Sequence, residues 1–259
     1  MDKKMLSPTE ITTATINAGI KKASLSTARM LLLGIFAGMF IGFGAHADIT
    51  VMQTLGSFDV GIAKFMGAAV FPVGLMLVLV AGAELFTGNN LMTMALMDKK
   101  ITINKMLKNW ILVYLGNFIG SILLALIIEK AGLYGQGSNI ANKAIAIAEA
   151  KVGLSFGQAF LRAILCNIIV VLAVWFSSAS KQVIGKIFAI WFPIMMFVLS
   201  GFEHSIANMF FISLGKLLGG SFSWVEMWTS NLIPVTLGNI LGGAVIVPVV
   251  YYIVYKENN

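Results

Sequence analysis

Two apolar stretches of this chain, residues 63–97 and 183–213, are too long for a single straight membrane crossing. Each carries a glycine and a glutamate near its middle, Gly82-Ala83-Glu84 and Gly201-Phe202-Glu203. About 20 apolar residues suffice for one helical span. A carboxylate at bilayer depth is costly, and irregular backbone survives there only beside protein or a water-filled cavity. The pattern predicts two helices broken inside a bundle, with the second break carrying Glu203-His204-Ser205-Ile206-Ala207-Asn208. Four further windows, 28–46, 107–128, 157–177 and 230–255, read as one crossing each. Charged residues are 11% of the chain, against roughly 25% in soluble domains, so the reading is an integral membrane protein.

The expected organisation is an amphipathic N-terminal helix over residues 1–27, then a single six-helix transmembrane domain over 28–256. Ala45-His46-Ala47 imitates a signal-peptidase site. Gly34, Gly38 and Gly42 at four-residue spacing instead mark the first span as a packing helix. The net charge of +7 reads as membrane orientation, and no nucleic acid partner is expected. Six spans put both termini on one side. That side collects twelve Lys and Arg, Lys3 and Lys4 among them, and the other collects six. By the positive-inside rule the termini are cytoplasmic, which in a bacterium means a multi-pass protein of the inner (cytoplasmic) membrane. Cys166 stands alone and forms no internal disulfide.

The halves repeat. Gly82-x-Glu84 matches Gly201-x-Glu203, and Leu115-Gly116-Asn117-x-x-Gly120 matches Leu237-Gly238-Asn239-x-x-Gly242. Three spans per half make the second copy upside down, an inverted 3+3 repeat with a permeation site between the two breaks. His204 is the histidine that falls inside a span. It reads either as a neutral histidine hydrogen-bonded in a packed bundle or as a proton donor in a pore. Glu84 and Glu203 are expected to accept backbone N–H groups where the helices break. Thr87, Asn90, Asn167 and Asn208 offer hydrogen bonds to a solute or to His204. His46, at the outer end of the first span, reads as a solvated interfacial residue. No metal-ligand spacing, zinc-protease motif or nucleophile elbow is present, so neither a metal site nor an enzyme is expected.

At these residues the chain resembles the formate/nitrite transporter family. The likeness is carried by Gly82 to Thr87, Lys108-Asn109-Trp110 through Gly120, Ile164 to Asn167, Ser200 to Met209 and Asn231 to Asn239. Within the family it most resembles the bacterial hydrosulfide channel branch. The resemblance implies an all-α, aquaporin-like six-helix protomer with broken second and fifth helices, assembled as a homopentamer with one pore per protomer. It implies His204 as the central pore histidine with Thr87 and Asn167 as hydrogen-bonding partners, and Lys151 as the residue that draws anions to the outer vestibule. Phe71, Leu75 and Phe197 would build one hydrophobic constriction, and Leu85 with Val170 would line the other. Glu84, Glu203 and Asn208 would support the breaks, and Gly88-Asn89-Asn90 falls in a mobile loop after Thr87. No cofactor is implied; the partners are hydrosulfide, formate or nitrite, and membrane lipid. The expected function is passage of a small monovalent anion or its conjugate acid. A proton-coupled secondary transporter of formate or nitrite is the alternative, and water or polyol conduction a further rival.

Overall fold

The computed structural model describes residues 5–256. Lys3 and Lys4 of the charge census lie outside that range. The described chain is helical: α1 Pro8–Ala23, α2 Thr27–Leu55, α3 Val60–Gly82, α4 over 86–97, α5 Ile103–Lys130, α6 Asn139–Val152, α7 Phe156–Ala179, α8 Val183–Leu199, α9 Ser205–Leu217 and α10 Trp224–Tyr255. Long apolar helices in this arrangement make an all-α membrane channel fold.

Local chemistry sets most of the starts. Ser7, Ser26, Asp59, Thr102, Ser138, Ser155 and Ser223 each cap a helix by accepting an N–H of its first turn. Ser7, Ser155 and Ser223 do so reciprocally, with Glu10, Gln158 and Glu226 answering the cap's own N–H. The apolar windows then supply the lengths, with two differences. The first crossing runs on to Leu55 rather than ending at residue 46, because Ile49, Met52 and Leu55 continue its apolar character. A further helix, α6, lies between the third and fourth crossings; its alanine face, Ala141, Ala144 and Ala148, is buried.

Close packing depends on small residues. α2 lies along α5 with Gly34 and Gly38 against Gly116 and Gly120. A Cβ on Gly38 or Gly120 would run into the opposing backbone carbonyl, of Asn117 or Ile35 respectively. Gly238 and Gly242 of α10 meet the carbonyls of Phe160 and Ile164 on α7 in the same way. Both breaks occur where foreseen. α3 widens into a π-helical turn over Leu77–Gly82 and stops; α8 stops at Leu199. Gly82 has φ +98° and Gly201 φ +70°, a left-handed conformation that side chains resist. The chain then runs extended for three residues before α4 and α9 begin. Residues 86–97 form helical turns, not the loop expected after Thr87. Asn89 is held there through its side chain by Glu84 and Asn109, and its carbonyl accepts the Trp110 indole N–H at 3.0 Å. α1 packs on the bundle, with Ile11, Thr15, Ile16 and Gly19 buried and Gly19 close against Ala95 of α4.

Candidate functional site

The sequence repeat is a repeat of hydrogen bonds. Asn117 of α5 accepts the Phe86 N–H at 3.0 Å and donates to the carbonyls of Gly34 and Glu84 at 2.8 and 2.9 Å. Asn239 of α10 accepts the Ser205 N–H at 2.9 Å and donates to the carbonyls of Ala163 and Glu203 at 2.9 and 3.0 Å. Each amide satisfies the orphan N–H of the restarted helix and an exposed carbonyl of the break. The glutamates do something else. Glu84 accepts Lys22 Nζ at 2.7 Å and Asn89 Nδ2 at 2.7 Å. Glu203 accepts Lys151 Nζ at 3.0 Å and Asn208 Nδ2 at 2.6 Å. Asn109 and Asn231 complete the sets by accepting from Asn89 and Asn208, both at 2.8 Å, and donating to the carbonyls of Lys22 and Lys151. The backbone capping expected of Glu84 and Glu203 thus falls to Asn117 and Asn239, because the carboxylates are occupied by lysine. Lys151, expected as a vestibule cation, is held in an ion pair with a carboxylate that is nearly buried. Its counterpart Lys22, on α1, went unrecognised; its signal was the lysine pair at the end of the N-terminal helix.

His204 breaks the symmetry. Its place in the other half is taken by Leu85, and that of Thr87 by Ile206. His204 precedes α9 and caps it: Nδ1 accepts the Ala207 N–H at 3.1 Å. With Nδ1 occupied as an acceptor, the network assigns the hydrogen to Nε2, which faces Thr87 Oγ1 at 2.8 Å. A second proton on this imidazole would cost the helix its cap. Asn167 does not touch His204. Its amide donates toward the carbonyl of Asn239 (2.7 Å), the Asn90 side chain (2.8 Å) and the carbonyl of Thr87 (3.4 Å). It therefore positions the threonine turn rather than the imidazole, because α10 and α4 offer it nearer acceptors.

The apolar candidates surround this contact. A chamber of 10 Å³, about one water in size, is lined by Phe71, Leu75, Leu85, Val170, Phe197, Ile41, Ile194 and His204. The residues assigned to two constrictions therefore enclose one small space, with the histidine on its wall. Phe71 and Phe197 meet edge to face, ring centres 5.8 Å apart, and Phe197 lies 5.9 Å from the imidazole. The same two phenylalanines and His204 also border a larger cavity of 320 Å³, which holds Lys64, Lys151, Arg162, Glu203 and Asp48. On the opposite side a 40 Å³ cavity is lined by Lys22, Gly19, Gly88 and Met92. His46 is half-buried, with Nδ1 bonded to the Tyr134 hydroxyl at 2.9 Å, because the segment before α6 folds back over α2 and leaves the ring only partly solvated. Asp48, buried two residues further on, was missed, because the first apolar window ends at residue 46 and leaves it outside the span.

A family model described as formate/nitrite transporter matches residues 9–253. The chain belongs to the formate/nitrite transporter family. Members of that family are channels or transporters, not enzymes. The formate channel BtFdhC of Bacillus thuringiensis is 40% identical to it, over 97% of this chain and 96% of that protein. A solved ion channel of the same family superposes with a TM-score of 0.86 at 29% identity, over 95% of this chain and 98% of the other. A pentameric formate channel with formate bound superposes with a TM-score of 0.78 at 33% identity, over 88% and 97%. Family membership makes the chain a multi-pass membrane protein, and its polar residues at the breaks belong to a channel fold rather than to a catalyst.

Proposed function

We propose that this protein is a channel for small monovalent anions or their conjugate acids, with formate, nitrite and hydrosulfide as its substrate class. The reading is carried by one observation. His204, hydrogen-bonded to Thr87 at 2.8 Å, is the one polar residue lining a small chamber otherwise walled by apolar side chains, and it also borders a larger cavity that carries lysine. The positive side chains of the larger cavity concentrate an anion at its entrance. A bare anion entering the chamber loses its hydration, a cost far above thermal energy. The Nε2–H of His204 supplies a donor at that point, and a proton taken up on the way removes the charge altogether. Phe71, Phe197, Leu75, Leu85 and Val170 keep water from following, and a chamber of 10 Å³ holds about one water, so a larger solute passes only as they move.

The supporting framework is Lys22–Glu84–Asn89 on one side and Lys151–Glu203–Asn208 on the other, which hold the two broken helices in place. We read the halves as crossing the bilayer in opposite senses, with both termini cytoplasmic in a bacterial inner membrane and Lys151 at the outer mouth. The pentameric relative supports a homopentamer with one pore in each protomer. Exposed apolar side chains on α2, α5 and α8, such as Phe36, Ile111 and Phe192, supply the faces for lipid and subunit contacts.

The test is anion flux into liposomes for His204→Ala and His204→Gln across pH. His204→Ala should lose about tenfold in rate, the worth of one hydrogen bond of about 1.4 kcal/mol. His204→Gln, which keeps a donor, should keep part of the rate and change its pH dependence. Wild-type rate and pH dependence in both variants would remove the histidine from the mechanism. The small chamber also suits a proton-coupled transporter of formate or nitrite. That reading expects low, saturating rates that follow an imposed proton gradient, whereas a channel passes anion down its own gradient at high rate.

A further inference from the structure

Asp48 is 5% exposed on the inner face of α2 and lines the 320 Å³ cavity together with Lys151 and Arg162. Its Oδ1 has no hydrogen-bond partner, and the ion pairs among the described residues leave it out, since Lys151 is committed to Glu203. Room for the carboxylate comes from Gly67 of α3; a Cβ there would occupy the position of Oδ1. The charged and titratable groups around it are Lys64 on α3, Tyr134 in the segment before α6, Lys143 and Lys151 on α6, Arg162 on α7, Glu203 and His204 at the second break, and His46 on its own helix. Asp48 is thus the second carboxylate of a cavity in which Glu203 already holds Lys151, and none of the cations engages Asp48 directly.

A carboxyl group in this position has two opposite effects. Ionised, it adds a negative charge to the cavity that an anion must enter, and it opposes the lysines. Protonated, it removes that charge and carries an O–H that can donate to an anion oxygen. Resting on the channel reading above, we propose that Asp48 is a specificity-determining residue of the vestibule. It binds a proton and a small monovalent anion together, so that anion occupancy on the Lys151 side rises as the pH on that side falls. By linkage the coupling runs both ways: the anion must also favour the protonated carboxyl. Proton and anion arrive at one mouth as the components of the neutral acid that the apolar chamber admits, and no further reactant is required.

Two measurements test this. In oriented liposomes, formate uptake from the Lys151 side is followed against concentration at about pH 5 and about pH 8, the interval over which buried carboxyls titrate because desolvation disfavours their charged form. Asp48→Asn, which is neutral at both, should lower the half-saturating concentration at the higher pH by about fivefold, the effect of one charge about 8 Å away in a partly aqueous cavity. It should leave the maximal rate nearly unchanged and leave flux entering from the Lys22 side as in the wild type. An unaltered half-saturating concentration at both pH values overturns the proposal. An equal change from both sides does so too, since that is damage to the pore at large. Should Asp48→Asn not assemble, infrared titration of the wild type with isotope-labelled aspartate decides the matter without transport. The labelled carboxyl band should persist to higher pH in formate than in sulfate, and no difference overturns the coupling. Wild-type liposomes that pass none of the anions would end the channel reading, while the infrared titration would still judge Asp48.

Discussion

A single imidazole, His204, lies at the second break, and its neighbours decide which of its atoms is free. His204 spends Nδ1 on capping α9 and so presents Nε2–H to Thr87. Two asparagines are as important to the framework. Asn117 and Asn239 each tie the first N–H of a restarted helix and a carbonyl of the break to a carbonyl of a neighbouring continuous helix. Replacing either with leucine, similar in size but without hydrogen-bonding groups, should cost about 3 kcal/mol, because buried backbone groups are left unsatisfied. Thermal unfolding in detergent should show a comparable loss for both variants, and a large loss for one alone would mean that the halves are not equivalent. Histidine was legible in the sequence because an ionisable residue in an apolar run is rare. The capping role of the asparagines was not, because an amide's partners are set by what packs against it.

Among the helices, the breaks are the feature that matters. Gly82 and Gly201 turn the chain through left-handed backbone, and a Cβ on either would meet no atom within 4 Å. The cost of Gly201→Ala is therefore conformational rather than steric, about 1–2 kcal/mol. It should lower stability by that amount and slow flux by shifting His204 relative to Thr87; Gly201→Asn should be milder, since asparagine tolerates this conformation. A melting point unchanged in Gly201→Ala would show that the turn can relax. The breaks were foreseeable from glycine beside glutamate in an overlong apolar run. The continuation of α2 to Leu55, the helix α6 and the helical turns after Thr87 were not. Apolar windows report burial in lipid, whereas these segments gain their order from contacts with neighbouring helices, such as the Asn89 carbonyl with Trp110.

At the scale of the whole molecule, two halves with the same hydrogen-bond framework meet, and the side-chain hydrogen bond that joins the breaks, Thr87 to His204, comes from positions that are not equivalent. Leu85 stands where the other half has His204, and Ile206 where it has Thr87. A symmetric framework thus carries an asymmetric contact, with the histidine from one half and the hydroxyl from the other. Assembly belongs to this scale as well. Native mass spectrometry of the 27.9 kDa chain from mild detergent should give five protomers; a stable monomer with full flux would show that each pore works alone. The amino-acid sequence by itself determined the membrane setting, the two breaks and the candidate histidine, because hydropathy, length and glycine–glutamate pairs report local environment. Only the tertiary structure decided which donor meets which acceptor. Lys22 finds Glu84 across 62 residues and Thr87 finds His204 across 117. Such pairings depend on how helices lie in register along their glycine faces, and on which polar groups that register leaves facing one another.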